Sequence, residues 1–325
     1  MSDMEYRPLG RSGLIVSAVG LGCNNLGRRG TQSHDEAGAR AVVHGALDAG
    51  VTLFDTADVY GVEPGLSETL LGAALRGRRD EAVVATKFGH ADIDAGIPNH
   101  GARGSRRYVR LAIERSLRRL GTDWIDLYQL HTPDPVTPIG ETLAALDELV
   151  DEGKIRYIGH SNFAGWQIAE AELTAALSGT ERFISAQNEF NLIQRSAERE
   201  VLPAAEHFGI GFLPWFPLYN GLFTGKFSRT GGPEDSRIMR QRPHLLDSAP
   251  WEAMDAYERF CTERGVSMLE ATFGWLLTRP ALSSVIAGAT TPEQAAQNAA
   301  ASRWRPDPSE AAHIGEIFAA SSGSR

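Results

Sequence analysis

Residues 51–61 read VTLFDTADVYG, and the way this run ends decides the fold. Val51–Phe54 is a short β-rich apolar stretch, Asp55 closes it, and Tyr60 follows five residues on. Two more apolar runs stop in the same manner: AVVATK at 82–87 ends in Lys87, and IDLYQLH at 125–131 ends in His131. In a parallel α/β barrel the carboxyl ends of the strands converge on one face, and that face carries the active site. A carboxylate, a phenol, an ammonium and an imidazole gathered there point to an acid whose proton is activated by a neighbouring cation. Reduction of a carbonyl needs that chemistry.

Outward from these runs, strand and helix patterns alternate. A short hairpin (6–7 with 14–16, turning at 10–13) precedes eight predicted strands at 18–21, 52–54, 82–86, 125–129, 156–159, 184–187, 211–214 and 284–286. Amphipathic helices are predicted at 35–49, 67–75, 105–120, 139–152, 163–177, 197–208, 254–277 (broken near Gly265) and 292–301. In 105–120 the apolar residues Val109, Ala112, Ile113, Leu117 and Leu120 recur with a helical period. Thr291 followed by Pro292 is a helix-start signal. Eight β–α units argue for a closed (β/α)8 barrel rather than an open doubly wound sheet. No Pro/Gly linker marks a second domain, so 1–325 reads as one barrel domain with a helix appended at 308–320. The segments 89–104 and 226–250 exceed ordinary connections and follow strand ends, where long loops are functional or mobile.

Composition narrows the function. A net charge of −9 and a pI near 5.5 disfavour a general nucleic-acid or anionic-membrane binder, although the basic cluster 103–110 has the charge to hold a phosphate. Cys23 and Cys261 make neither a metal-ligand spacing nor a disulfide framework, which favours a reducing compartment. No basic-led apolar segment opens the chain and no 18-residue apolar run occurs, so the expectation is a cytoplasmic protein without a membrane span. The partner expected is a small molecule, with no metal and with the oligomeric state open.

Each candidate also has a bland reading. Asp55 alone could cap a helix, Lys87 alone could be a solvated loop lysine, and His131, standing before TPDP, could be a satisfied loop histidine. Burying Lys87 would require the Asp55 partner, since an unpaired buried charge is costly. GHSNF at 159–163 puts Ser161 and Asn162 at another strand end. Either could cap the next helix, and Asn162 also offers an amide complementary to a primary carboxamide. Gln187 offers the same complementarity, and Trp215 offers a flat surface for a ring or for simple rim packing. GLGCNN at 20–25 nearly spells a dinucleotide fingerprint, but Asn25 stands where the third glycine belongs and no helix opens behind it.

The ordered motifs FDTADVYG, ATKFG, SLRRLGTDWIDLYQLHTPDP, GKIRYIGHSNF, QNEFN, LPWFPLYNGLFTGK and SVIAGATTPEQ together resemble the aldo-keto reductases, from Leu14 to Ala301. The resemblance implies a barrel that holds an extended nicotinamide dinucleotide, NADP(H) with NAD(H) as the alternative, across its carboxyl face. It implies Tyr60 as general acid, Lys87 and Asp55 as the groups that tune it, and His131 as the residue that orients a small carbonyl substrate. It further implies cofactor contacts from Gly22, Cys23, Asn24 and Asp55, and from Ser161, Asn162 and Gln187. Beyond these it implies Trp215, Phe216, Pro217, Leu218, Gly225, Lys226 and Arg237, then Gly288, Thr290, Thr291, Gln294, Gln297 and Asn298. Departures from the family pattern are Trp215-Phe216-Pro217 where Tyr-Ser-Pro is usual, the absence of a basic residue in 288–291, and His160 where a small or apolar residue is common. Two other classes compete: a cofactor-binding regulatory subunit of the same fold, and a metal-assisted hydrolase built on Asp55 and His131. On residue chemistry alone, a phenol with an ordinary pKa of about 10 is a reluctant donor, and a nearby ammonium should lower that pKa.

Overall fold

Side chains alternate across a β-strand, so a strand with one face on a closed interior must carry inward groups at every second position. The computed structural model, which describes residues 4–234 and 236–319, follows that rule. The hairpin strands β1 (Tyr6–Pro8) and β2 (Ile15–Ser17) pair antiparallel. Eight parallel strands follow: β3 (Val19–Gly22), β4 (Leu53–Asp55), β5 (Val83–Phe88), β6 (Ile125–Leu130), β7 (Ile155–Ser161), β8 (Ser185–Gln187), β9 (Gly211–Phe212) and β10 (Val285–Gly288). They run in chain order around the sheet, with β10 beside β3. The remaining seam closes through a parallel bridge between Phe212 and Leu282, and through hydrogen bonds from Ser283 N to Phe212 O (3.0 Å) and from Ile286 N to Pro214 O (3.3 Å).

Helices α1 (Glu36–Asp48), α2 (Leu66–Ala74), α3 (Arg106–Leu120), α4 (Ile139–Asp151), α5 (Gly165–Ser178) and α6 (Val201–Phe208) cover the first six strands of the barrel. The segment 226–250 is not bare loop: it carries α7 (Arg237–Gln241) and α8 (His244–Asp247). Then come α9 (Trp251–Arg264), α10 (Met268–Leu277), α11 (Pro292–Ala301) and the appended α12 (Pro308–Ile317). The predicted helix at 254–277 is broken at Gly265, which takes the left-handed conformation (φ 65°), and a Ser267–Glu270 capping box restarts it. The predicted helix at 197–208 begins only at Val201, after a 3-10 turn at Ser196–Glu198. This start places Pro203, which lacks an N–H, in the first turn. The last residue of the helix expected at 308–320 lies outside the described residues.

Two apolar layers result. Outward residues such as Phe54, Val84, Tyr128 and Leu130 pack under the helices. Inward residues Leu53, Ala85, Leu127, Leu213 and Ile286 form the barrel's own core together with Leu9 and Val16 of the hairpin, which plugs its amino-terminal floor. Gly10 (φ +60°) makes that plug possible: a Cβ there would stand 2.6 Å from Gly209 O and from Gly211 N. Two residues further along the same inward faces come Asp55, Lys87 and Gln129, so the alternation that fills the floor with aliphatics fills the mouth with polar groups. Gly159 serves this upper layer, since a Cβ there would lie 2.1 Å from Ser185 Oγ and 3.2 Å from Gln129 Cγ. Among the described residues no helix is long and apolar enough to cross a membrane.

Candidate active site

Register brings the strand-end groups together. Asp55 sits opposite Ala85 across the β4–β5 pair, and Lys87 sits opposite Gln129 across β5–β6. Lys87 Nζ donates to both Asp55 carboxylate oxygens at 2.7 Å and to Thr56 O at 2.9 Å, with the lysine side chain fully buried. Asp55 Oδ1 also accepts from Gln187 Nε2 (2.9 Å) and from Gln129 Nε2 (3.4 Å). A buried ion pair is sustainable only when its remaining donors and acceptors are met in this way. Burial alone would depress the Lys87 ammonium, but Asp55 and Tyr60 outweigh it and hold its pKa above the ordinary value.

Tyr60 comes to this pair from the turn beyond β4, and Lys87 Nζ lies 5.1 Å from its ring centroid. Part of the ring faces the mouth, yet its surroundings are dense. Burial raises the phenol's pKa, and the charge of Lys87 limits the rise. The net direction is the reverse of the sequence expectation, because desolvation of the phenolate exceeds the attraction of a lysine already shared with Asp55. His131 meets Tyr60 edge-on with ring centroids 5.8 Å apart. Burial, then Lys87, then His90 push the His131 imidazole well below its usual pKa, so it is neutral at pH 7.

The amide cluster is built from the chain's own bonds. Asn162 adopts a left-handed backbone (φ 62°), which asparagine tolerates better than most residues. Its Nδ2 donates to His131 O (3.0 Å) and to Ser161 Oγ (3.1 Å), while Ser161 Oγ donates to Gln187 O (2.7 Å). Both N–H groups of Asn162 are therefore engaged, and it offers a carboxamide an acceptor rather than a donor and acceptor together. Since Asp55 demands a donor, the Gln187 amide is oriented with its nitrogen inward.

The other predicted cofactor residues divide by place. Trp215 and Phe216 form an edge-to-face pair (4.8 Å) at the rim after β9, and Phe216 carries a positive φ of 52°. Arg237 lies 5.1 Å over the Phe216 ring, with Pro217 buried and Leu218 half-buried beside it. Gly22 at the end of β3 and Asn24 beyond it are half-buried, whereas Gly225, Lys226 and Gln297 are exposed. Gly288 is exposed at the end of β10, where a Cβ would meet Asn25 Nδ2 at 2.8 Å. Gln294 Oε1 accepts from Thr290 N (2.9 Å) and Thr290 Oγ1 (3.0 Å), Thr291 caps α11, and Asn298 Nδ2 donates to Gly288 O (3.3 Å). The side chain of Cys23 is fully buried with Sγ directed at Leu21 O (3.6 Å), and its carbonyl accepts from Ser67 Oγ (2.7 Å), so its thiol belongs to the core.

Several residues of the site escaped the sequence reading. His90, three residues past Lys87, meets the His131 ring edge-on at 4.5 Å, and its position just beyond ATKFG was the available signal. Gln129 sits two residues before His131 on the same inward face. Asp58 is buried with neither carboxyl oxygen hydrogen-bonded among the described residues. Burial, followed by the charge of Glu68, raises its pKa to about 8. No group of three His, Cys, Asp or Glu side chains among the described residues is arranged to hold a metal, which leaves the metal-hydrolase reading without a ligand set.

Comparison with known proteins gives one consistent result. The model of the Aldo/keto reductase family matches residues 18–319. "Uncharacterized oxidoreductase YrpG" of Bacillus subtilis is 37% identical over 299 residues, covering 90% of this chain and 89% of its own. "Probable voltage-gated potassium channel subunit beta" of rice is 34% identical, with coverages of 91% and 90%. "L-glyceraldehyde 3-phosphate reductase" of Escherichia coli O157:H7 is 32% identical, with coverages of 91% and 87%.

Proposed function

The chain belongs to the aldo/keto reductase family, and from that premise we propose that it reduces an aldehyde or ketone to the alcohol by hydride transfer from NADPH, with Tyr60 as general acid. The observation that carries the reading is the buried Lys87–Asp55 pair beside Tyr60, flanked by a neutral His131. Tyr60 holds a proton throughout the neutral range and gives it to the substrate oxygen. Lys87 stabilises the phenolate left behind, and Asp55 keeps the ammonium charged and in place. His131, uncharged, hydrogen-bonds the carbonyl oxygen without competing as an acid.

The donor set suits a nicotinamide dinucleotide. Trp215 offers a ring face, Asn162 and Gln187 offer amides, Gly288 leaves a cradle that a Cβ would fill, and Arg237 carries a buried Nε without a partner. Bound there, the dinucleotide supplies the hydride.

Two pH statements follow from the shifted groups. Because the Tyr60 phenol is raised above 10 and must be protonated to act, reduction should hold its kcat/KM up to about pH 9 and decline only beyond the free-tyrosine range near 10. Because His131 is depressed well below 6.5, no acid limb should enter near pH 6.5. A pH profile that bends between 6 and 7.5 contradicts the assignment.

For the choice of cofactor, the turn before α11 supplies Thr290, Thr291 and Gln294 but no basic group. Glu293 stands exposed in the first helical turn, and its own backbone N–H and the Thr291 hydroxyl hold its carboxyl below the usual carboxylate range. That carboxylate competes with a 2′-phosphate for the same donors. A kcat/KM ratio favouring NADPH over NADH by about tenfold or less is expected, the scale of one or two neutral hydrogen bonds. A ratio favouring NADH overturns NADPH as the cofactor. A regulatory-subunit reading draws on the similarity to the potassium-channel subunit beta. Steady-state oxidation of NADPH with a generic aldehyde separates the two, since a regulatory subunit turns over little.

A further inference from the structure

One side of the mouth is left unclaimed by the dinucleotide. The side chains offered to it stand at the ends of β3, β4, β7 and β8 and beyond β9 and β10, and none stands in the loops after β5 and β6. Those two loops are fastened to each other. His131 N donates to Phe88 O (2.8 Å), and Thr132 Oγ1 donates to Gly89 O (2.9 Å). Gly89 takes the left-handed conformation (φ 77°), and a Cβ there would stand 3.2 Å from Leu130 Cδ1 and 3.3 Å from Arg103 O. The chain turns there and sets His90 against His131, with ring centroids 4.5 Å apart and planes at 88°. His131 in turn meets Tyr60 edge-on at 5.8 Å, so that Tyr60, His131 and His90 stand in a row.

The second imidazole is prepared as a donor. Asp92 N donates to His90 Nδ1 (3.1 Å), so that atom is the acceptor and the proton of the neutral ring sits on Nε2. Burial, opposed by Asp92 and reinforced by Arg103 and Lys87, holds the His90 pKa below its ordinary value, and the neutral form prevails at pH 7. Among the described residues no acceptor meets Nε2, on a side chain that is only half-buried. A ring that merely packed against His131 would need neither a fixed tautomer nor an open N–H. His131 Nδ1 is buried without a partner, which leaves its Nε2 to meet a substrate oxygen. A carbonyl held by Tyr60 and His131 then has His90 as the next polar group along the row. Because the two imidazoles are in contact, the oxygens they hold must be near neighbours, as oxygens on adjacent carbons are. We propose that His90 is a specificity-determining residue, donating from Nε2 to an oxygen on the carbon next to the substrate's carbonyl, so that 2-oxygenated carbonyls are favoured over plain ones. This deepens the reductase reading and rests on it.

The test compares glycolaldehyde with propanal, near-isosteres that differ by a hydroxyl in place of a methyl, at saturating NADPH. The proteins are the wild type, His90→Phe and His90→Gln. Phenylalanine keeps a ring against His131 but has no N–H, whereas glutamine carries an amide N–H at a similar reach. His90→Phe should lose about tenfold in kcat/KM on glycolaldehyde, the scale of one neutral hydrogen bond, and less than about threefold on propanal. His90→Gln should return glycolaldehyde to within about threefold of the wild type. Equal losses on the two aldehydes would overturn the proposal and make His90 a packing partner of His131. A glutamine variant no better than the phenylalanine one on glycolaldehyde overturns it too, since the N–H then counts for nothing. So does a matching rise in the NADPH dissociation constant, measured by fluorescence titration, which would give His90 to the dinucleotide. If the wild type reduces neither aldehyde, the reductase reading fails and takes this inference with it. Reduction of both with equal losses leaves that reading standing and removes the inference alone.

Discussion

Tyr60→Phe is expected to lower carbonyl reduction by about 10²–10⁴-fold, the usual worth of a positioned general acid, while the dissociation constant for NADPH changes by less than about twofold. The neighbouring groups cannot take over. Lys87 is held by two carboxylate oxygens and a carbonyl, and its pKa is raised, so it releases no proton at neutral pH. His131 is neutral, with a pKa well below its usual value, and is a hydrogen-bonding group rather than an acid there. Asp58, raised to about 8, also holds a proton at pH 7, but its side chain is buried. Single-turnover reduction within a few-fold of wild type would remove Tyr60 from the role.

Lys87→Met should be nearly as damaging to catalysis and, unlike Tyr60→Phe, should also destabilise the fold. It deletes the charge that stabilises the phenolate, and it leaves the Asp55 carboxylate buried with only the Gln187 and Gln129 amides. Breaking one side of a buried pair costs about 3–5 kcal/mol, because an uncompensated charge remains. The double variant Asp55→Asn/Lys87→Met removes that charge and should recover most of the stability in denaturant unfolding, yet none of the activity. If the double variant regains turnover, Lys87 acts only as scaffolding. If the single variant is as stable as wild type, the pair contributes nothing that the surrounding amides do not.

Much of this site was legible because strand periodicity is rigid. Once VTLFD, AVVATK and IDLYQLH are parallel neighbours, Asp55, Lys87 and His131 must emerge at one end. What meets what across the barrel was not legible, since it depends on the stagger between strands. Lys87 falls level with Gln129, and Gln187, 132 positions from Asp55, reaches that carboxylate. Local spacing carries no record of such a contact. Desolvation was equally invisible, which is why the direction of the Tyr60 shift reversed and why Cys23 turned into the core. The short helices α7 and α8 were missed because five and four residues carry too little periodicity to read.

The hairpin plug divides the labour of the barrel. Leu9, Val16 and the inward aliphatics seal the floor, while the segments 89–104 and 226–250 hang from the opposite rim and share none of that core. Selection can therefore rewrite the rim, swapping an arginine or lengthening a loop, with little tax on folding. Asp55 and Lys87 stay anchored in strands that a rewritten rim need not disturb. A scaffold arranged this way is evolvable: its chemistry is inherited, and its choice of substrate is negotiated at the edge.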